Sequence, residues 1–191
     1  MTKSIMLVGV GGQGTLLASR VLGSVFLSKG FDVKVSEVHG MSQRGGSVTT
    51  YVKYSDEKVY SPVIDKGEAD VIISFELMEA ARWVSYLKKD GIFITNTQKI
   101  EPMPVITGAT EYNEDIAGKI KNLGINLIDI DALKLAEEAG NARAVNVVLM
   151  GVLSKMMDVS LEAWRKALDE HVPPKALEVN KKAFELGRNA L

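Results

Sequence analysis

The 191-residue chain contains no cysteine and only two histidines, His39 and His171. The lack of thiols excludes disulfides, a cysteine nucleophile, a zinc–thiolate site and an iron–sulfur cluster held by cysteines of this chain. The two histidines are too few for a metal site built from several imidazoles. If this protein takes part in electron transfer through such a cluster, another chain must hold it.

An excess of charge of one sign and a long apolar run are also missing. Lysine and arginine number 23 against 24 aspartates and glutamates, so no basic surplus points to nucleic acid. No apolar run reaches the length of a membrane span. Lys3 precedes a short apolar run, but glycines interrupt that run almost at once, which favours a first strand over a signal peptide. We therefore expect a protein that binds neither nucleic acid nor membrane and resides in the cytoplasm.

Apolar periodicity predicts that strands and helices alternate over the first two thirds of the chain. Strands are expected at 4–9, 31–38, 48–54, 69–75, 91–96 and 125–130, with a short return strand at 59–60. Helices are expected at 15–29, 76–87 and 114–122, and then at 132–138, 142–157, 161–168 and 174–188. This order favours an α/β fold, a Rossmann-like three-layer sandwich with a mostly parallel sheet and a helical C-terminal extension. We expect one domain over 1–191, with an α/β core of about 1–130 and a helical part of about 131–191.

A glycine-rich turn, Gly9-Val10-Gly11-Gly12-Gln13-Gly14, follows the first predicted strand and opens the first predicted helix. Gly9, Gly11 and Gly14 have the G-x-G-x-x-G spacing, in which glycines permit a tight turn and the helix N-terminus offers unpaired N–H groups to an anion. Gly12 opens the turn further, and Gln13 offers an amide for hydrogen bonding. We expect these residues to bind a phosphate-bearing ligand or partner; the alternative is a strand-to-helix turn without a ligand.

The same spacing raises the hypothesis of a nicotinamide dinucleotide site. Such a site has an acidic residue at the end of the second strand to hold a ribose hydroxyl, and Glu37 stands near that place. However, ordinary dehydrogenases do not show a glycine-rich loop directly after this residue, and the spacing alone is weak evidence for a named cofactor. A free-standing NAD(P)-binding oxidoreductase stays an alternative. An adenylating enzyme of the ubiquitin-activating type is a further alternative, which the absence of cysteine disfavours.

A second glycine-rich loop, Glu37-Val38-His39-Gly40-Met41-Ser42-Gln43-Arg44-Gly45-Gly46-Ser47, joins the second and third predicted strands. The Arg44 guanidinium can bind a phosphate or carboxylate bidentately, and Gly45 and Gly46 can turn backbone N–H groups toward an anion. In a doubly wound sheet the loops after the first two strands lie at one edge, so we expect both glycine loops to face one crevice. The binding residues expected here are Glu37, His39, Ser42, Arg44, Gly45 and Gly46. The alternative is an Arg44–Glu37 ion pair that braces a surface loop.

No catalytic residue and no metal site is predicted. His39 is a candidate for proton transfer, but no partner base or nucleophile is evident, and a hydrogen-bonding or packing role fits it at least as well. Asp129 and Asp131 flank a strand end, where a divalent cation is conceivable, yet Asp131 as the N-cap of the next helix is the favoured interpretation. His171 is expected at a helix end.

Together the two loops resemble the gamma domain of the 2-oxoacid:ferredoxin oxidoreductases. The segments that carry the resemblance are 8–14 and 36–48, and it continues through Ser61-Pro62, Ala69-Asp70-Val71-Ile72-Ile73 with Glu76, Gly140-Asn141 with Asn146, and Asn180-Lys181-Lys182-Ala183-Phe184. It covers nearly the whole chain. Relatives that use pyruvate or other oxo acids carry a different second loop, so the resemblance favours the arylpyruvate branch of the family, with indolepyruvate as substrate. A gamma subunit for another 2-oxo acid stays an alternative.

The resemblance implies a subunit rather than a complete enzyme, inactive alone. In this family a partner alpha subunit carries thiamine diphosphate for oxidative decarboxylation of the 2-oxo acid, and iron–sulfur clusters there pass electrons to ferredoxin. Coenzyme A takes the acyl group, and the gamma domain is linked to coenzyme A in related enzymes. The resemblance thus implies that this chain holds no cofactor by itself and that coenzyme A is its candidate co-substrate. It also implies that ferredoxin is a partner of the whole complex. The lack of cysteine agrees with this division of labour.

Overall fold

The computed structural model describes residues 1–40 and 46–191, which form a six-stranded sheet covered by helices. The strands are β1 (Lys3–Val10), β2 (Asp32–His39), β3 (Ser47–Ser55), β4 (Ala69–Ser74), β5 (Leu87–Asn96) and β6 (Leu127–Ile130). The helices are α1 (Thr15–Ser28), α2 (Leu77–Trp83), α3 (Met103–Ile106), α4 (Ile116–Asn122), α5 (Ala132–Ala139), α6 (Val145–Ser154), α7 (Leu161–His171) and α8 (Leu177–Arg188). Short 3-10 turns occupy Val84–Tyr86, Ala142–Ala144 and Pro174–Ala176.

The sheet has the order β2-β3-β1-β4-β5-β6. β1, β4, β5 and β6 are parallel, whereas β3 runs antiparallel to both of its neighbours. In a doubly wound dinucleotide-binding sheet β2 would lie directly beside β1; here β3 separates them. Because β3 is antiparallel to both, β1 and β2 still point the same way. The loops after these two strands therefore leave the same edge of the sheet, as the sequence predicted.

Alternate residues of the central strands face two different apolar cores, as expected for a sheet covered on both sides. Ile5, Leu7 and Ile73 pack against α1 and the C-terminal helices α5 to α8. Met6, Val8, Ile72 and Phe93 pack on the other face against α2 and α4. The prediction of a three-layer α/β sandwich with a mostly parallel sheet is thus confirmed. No helix in the described parts of the chain is long and apolar enough to cross a membrane.

Helix α6 lies inside one of these layers. All ten of its residues are buried, which explains why its sequence is apolar on every side. Helix α8 crosses α6 so closely that a Cβ built on Gly151 of α6 would overlap the carbonyl oxygen of Phe184, and one built on Gly187 of α8 would overlap that of Val148. The two backbones touch only because both helices have glycine at the crossing.

Several predicted boundaries were wrong. The return strand at 59–60 does not form; instead the Val59 N–H donates to Asp32 Oδ2 at 2.7 Å, which ties this segment to the start of β2. The helix predicted over 76–87 ends at Trp83, and a 3-10 turn leads into β5, which starts at Leu87 rather than at 91. The helices predicted over 142–157 and 174–188 each begin with a separate 3-10 turn.

Replacement of Gly187 by Ala should destabilise the protein, because the new Cβ would collide with backbone rather than with a movable side chain. Overpacking of this kind costs ~1–3 kcal/mol. Gly23→Ala in α1 is the matched control, since no described atom lies within 4 Å of a Cβ there. Removing a glycine from a helix interior should gain about 0.5–1 kcal/mol. Thermal and urea unfolding of both variants check this; equal stability of the two would contradict the close helix crossing.

Candidate functional site

The first glycine turn connects β1 to α1 at the carboxyl edge of the sheet. Three of its four glycines are required by close packing or by backbone conformation. A Cβ at Gly9 would lie 3.1 Å from Cβ of Phe75, and Gly12 and Gly14 have left-handed φ angles of 92° and 83°, which side chains rarely adopt. No described atom lies within 4 Å of a Cβ built on Gly11, whose backbone is not left-handed. The space beside Gly11 is therefore open in the described structure, and no described contact requires glycine at this position.

The Gln13 side chain braces the turn from within. Its Oε1 accepts a hydrogen bond from the Val10 N–H at 2.8 Å, and its Nε2 donates to the carbonyl oxygen of Phe75 at 3.1 Å. The same carbonyl accepts from Nδ2 of buried Asn96. The Oδ1 of Asn96 in turn accepts from the Ala132 N–H. The Gln13 amide, which was predicted as a ligand contact, thus joins the ends of β1 and β4, and Asn96 extends this link to β5.

The N-terminus of α1 is favourable for an anion. Gly14 is its N-cap and provides no side-chain acceptor, and the first turn contains no acidic residue. Asn146 Nδ2 donates to the Gly14 carbonyl at 3.1 Å, and Thr15 Oγ1 at the first position of α1 donates to Glu37 Oε2. The first N–H groups of a helix lack intrahelical partners and carry partial positive charge. The turn therefore combines open space with unpaired donors.

The two glycine loops meet. The Gly11 N–H donates to the Gly46 carbonyl at 3.1 Å, and the Gly40 N–H donates to the Ser47 carbonyl at 3.0 Å. The first contact follows from the register of β1 against β3, in which Val10 lies opposite Ser47, and the second closes the stems of the second loop where His39 of β2 lies opposite Val48 of β3. Gly46 thus lies beside the first turn, as the hypothesis of one shared crevice requires. Three of the predicted binding residues, Ser42, Arg44 and Gly45, lie outside the described residues, and so does the alternative Arg44–Glu37 ion pair.

The Glu37 carboxylate is occupied by the protein itself. Its Oε2 accepts from Thr15 Oγ1 at 3.1 Å and from Thr50 Oγ1 at 2.9 Å, and its Oε1 lies 2.7 Å from His39 Nε2. The strand that carries it is also separated from β1 by β3, whereas the ribose-binding acid of a dinucleotide site stands on the strand beside β1. This geometry disfavours the nicotinamide hypothesis. It also supplies the partner for His39 that the sequence did not reveal.

Two glutamates of α2 belong to this edge of the sheet and were missed as site residues from the sequence. Glu76 is the N-cap of α2, and its carboxylate accepts from the backbone N–H groups of Met78 and Glu79. Burial raises the pKa of the Glu76 carboxyl, the nearby charge of Glu79 adds to this shift, and the backbone donors oppose it. Glu79 is buried and accepts from Ser47 Oγ at 2.5 Å. The available signal was a pair of acids at the start of a helix that follows a buried strand.

A cleft of about 510 Å³ opens beside the meeting point of the loops. Its lining is Val10, Ser47, Glu76, Met78, Glu79, Arg82, Ile100, Glu101, Pro102, Met103, Pro104 and Ile106. Met103 and Ile106 are exposed at its rim, so apolar surface continues outward from the site.

The other candidate residues have structural roles. Asp131 Oδ1 accepts from the Lys134 N–H at 3.0 Å as the N-cap of α5, and Asp129 pairs with Lys121 at 2.7 Å, so the N-cap interpretation is confirmed. The described residues contain no group of three or more His, Asp and Glu side chains that could hold a metal ion. His171 is the last residue of α7, as predicted, and its Nε2 lies 2.6 Å from Ser24 Oγ of α1.

Comparisons with known proteins agree with this architecture. The indolepyruvate oxidoreductase subunit IorB of Thermococcus kodakarensis is 45% identical over 192 residues, covering 98% of this chain and 95% of that one. The fold is similar to the keto/oxoacid ferredoxin oxidoreductase gamma subunit of Geobacter sulfurreducens, with a TM-score of 0.71 and 22% identity over 97% of this chain and 95% of that one.

A larger enzyme contains the same fold as part of one chain. The 2-oxoglutarate:ferredoxin oxidoreductase of Magnetococcus marinus, solved with 2-oxoglutarate, coenzyme A and succinyl-CoA bound, matches 98% of this chain but 30% of its own, with a TM-score of 0.75 and 21% identity. The profile of the pyruvate ferredoxin/flavodoxin oxidoreductase family matches residues 4–190. The chain therefore belongs to the pyruvate ferredoxin/flavodoxin oxidoreductase family.

Proposed function

We propose that this chain is the subunit without thiamine diphosphate of an arylpyruvate:ferredoxin oxidoreductase, the counterpart of the beta subunit of indolepyruvate:ferredoxin oxidoreductase. The complex oxidatively decarboxylates the 2-oxo acid, transfers the acyl group to coenzyme A and passes the electrons to ferredoxin. The observation that carries the proposal is the joining of two anion-suited glycine loops through the Gly11–Gly46 hydrogen bond. Nearly full-length similarity to an IorB subunit supports the arylpyruvate assignment over pyruvate or 2-oxoglutarate.

The chemistry of this chain requires a partner. Without cysteine it cannot supply thiolates to an iron–sulfur cluster, and the described residues offer no acidic cluster to hold the metal ion of a diphosphate cofactor. An alpha subunit in the cytoplasm carries both groups in this proposal, and ferredoxin docks on the complex. The chain acts as one domain over 1–191, since its last helices cover the same sheet face as α1.

The role of the glycine loops is to receive a phosphate group. Residues 9–14 and 42–46 would surround it, with the α1 N-terminus contributing N–H groups and positive partial charge. The phosphate belongs either to coenzyme A or to the diphosphate of the partner. Both sources have the same local chemistry, so experiments must separate them.

Co-expression with a candidate alpha subunit should give indolepyruvate-dependent reduction of ferredoxin that requires coenzyme A. The alpha subunit alone is the control, and pyruvate and 2-oxoglutarate are assayed alongside. Ferredoxin reduction no faster than with the alpha subunit alone would reject the subunit assignment. A higher kcat/KM for pyruvate or 2-oxoglutarate than for indolepyruvate would reject the arylpyruvate assignment only.

Gly11→Ala should separate ligand binding from folding. The Cβ enters space where no described atom lies within 4 Å, and the backbone is not left-handed there, so the unfolding midpoint should stay within about 1 °C. If the ligand approaches Gly11, its binding should weaken about tenfold or more, which corresponds to about 1.4 kcal/mol. A higher KM for coenzyme A identifies coenzyme A as the phosphate source, and a higher dissociation constant for the alpha subunit identifies the partner. If neither constant changes, the phosphate-binding role is wrong.

The isolated chain should not bind NADH. Glu37 already accepts hydrogen bonds from Thr15 and Thr50 and contacts His39, so its carboxylate is not free to bind a ribose hydroxyl. Calorimetry with NADH checks this expectation. Micromolar affinity that Glu37→Gln abolishes would instead support the free-standing oxidoreductase.

A further inference from the structure

Glu79 is a buried carboxylate that receives three side-chain donors. Its Oε1 accepts from Arg82 Nε at 3.0 Å, and its Oε2 accepts from Trp83 Nε1 at 2.9 Å and from Ser47 Oγ at 2.5 Å. Arg82 and Trp83 belong to the same helix, three and four residues further on. The bond to Ser47 is therefore the contact among these three that reaches another element of the fold.

A buried ionised carboxylate is costly, and Glu79 carries an additional cost. Removing a charge from water must be offset by hydrogen bonds, and Glu76, one turn away, is a second buried acid whose pKa the Glu79 charge helps to raise. Contacts within α2 alone would be available to an exposed glutamate at lower cost. The position of Glu79 inside the protein is explained by its bond to Ser47.

Ser47 stands at the junction of both glycine loops. It is the first residue of β3, it directly follows Gly46, and it lies opposite Val10 at the end of β1. Its carbonyl oxygen accepts from the Gly40 N–H, and its pair with Val10 is the last of the ladder between β1 and β3. The hydrogen bond from Ser47 to Glu79 ties this end to α2, and the preceding residue, Gly46, accepts from the Gly11 N–H. A continuous path thus runs from α2 through Ser47 and Gly46 to the first glycine turn.

We propose that Glu79 is a positioning residue that, through Ser47, holds Gly46 against Gly11 and so fixes the first glycine turn in the shape that receives the ligand. The inference rests on the phosphate-binding role proposed above. At the β2 end of the loop, Glu37 contacts His39. However, Glu37 also accepts hydrogen bonds from Thr15 of α1 and Thr50 of β3. Among the described residues, Ser47 is the contact of Glu79 with the loop.

The test compares two variants that each remove one donor from the same oxygen of Glu79. Ser47→Ala removes the bond to the loop, and Trp83→Phe removes the bond within α2. Both should lower the thermal midpoint by a few degrees. The measured constant is the one that Gly11→Ala raises, either the KM for coenzyme A or the dissociation constant of the alpha subunit. In the reconstituted complex Ser47→Ala should raise it by roughly three- to tenfold, and Trp83→Phe should not. The kcat of Ser47→Ala should stay within about twofold of the wild-type value, because the variant should weaken binding of the ground state and of the transition state equally.

Two further variants sharpen the result. Ser47→Thr keeps a hydroxyl in a residue that suits a strand, so it should restore the constant to near the wild-type value. Glu79→Met removes both acceptor oxygens at similar side-chain length, so it should reproduce the effect of Ser47→Ala, and combining the two should add little, because both remove the same bond.

The outcomes separate this inference from the function beneath it. If Gly11→Ala weakens binding while Ser47→Ala does not, Glu79 has no positioning role and the phosphate site stands. If Trp83→Phe weakens binding as much as Ser47→Ala, the effect is general destabilisation and the inference is wrong. If Gly11→Ala changes neither constant, the loops receive no ligand and both proposals fail.

Discussion

The antiparallel pairing of β3 with β1 decides where the parts of the candidate site can lie. Its register places Ser47 opposite Val10, so the second glycine loop returns directly beside the first. Without this pairing β2 would occupy the position next to β1, as in a dinucleotide-binding sheet, and the second loop would start rather than end beside the glycine turn. The Gly11–Gly46 hydrogen bond and the separation of Glu37 from β1 both follow from it.

Acidic side chains have an unusual place in this site. Glu37 and Glu79 lie at the two stems of a loop that is expected to approach an anion, yet each carboxylate is surrounded by donors from the protein. Both carboxylates thus accept hydrogen bonds within the protein, and in the inference above Glu79 positions the end of the loop. This arrangement lets the same edge of the sheet carry several acids and still expose the N–H groups at the start of α1.

Local features of the fold were largely predictable. The apolar run of β4, the helical period of α1 and the capping of α5 by Asp131 depend on neighbours a few residues apart, which is the range that periodicity and capping rules describe. The short return strand at 59–60 was wrong because a backbone donor at Val59 found Asp32, 27 residues away. Gln13 was correctly placed in the turn, but the Phe75 carbonyl that occupies its amide lies 62 residues further on.

The sequence by itself determined the α/β class, the strand–turn–helix context of Gly9 to Gly14, and the need for a partner in any iron–sulfur chemistry, because these depend on local pattern and on composition. Only the tertiary structure decided that β3 lies between β1 and β2, that Glu37 is not free for a ribose, and that Glu79 reaches Ser47. The physical reason is that strand order and the burial of a charge are set by contacts between residues far apart in the chain. The periodicity of a segment shows which side of it is apolar, but it does not show which other segment will cover that side.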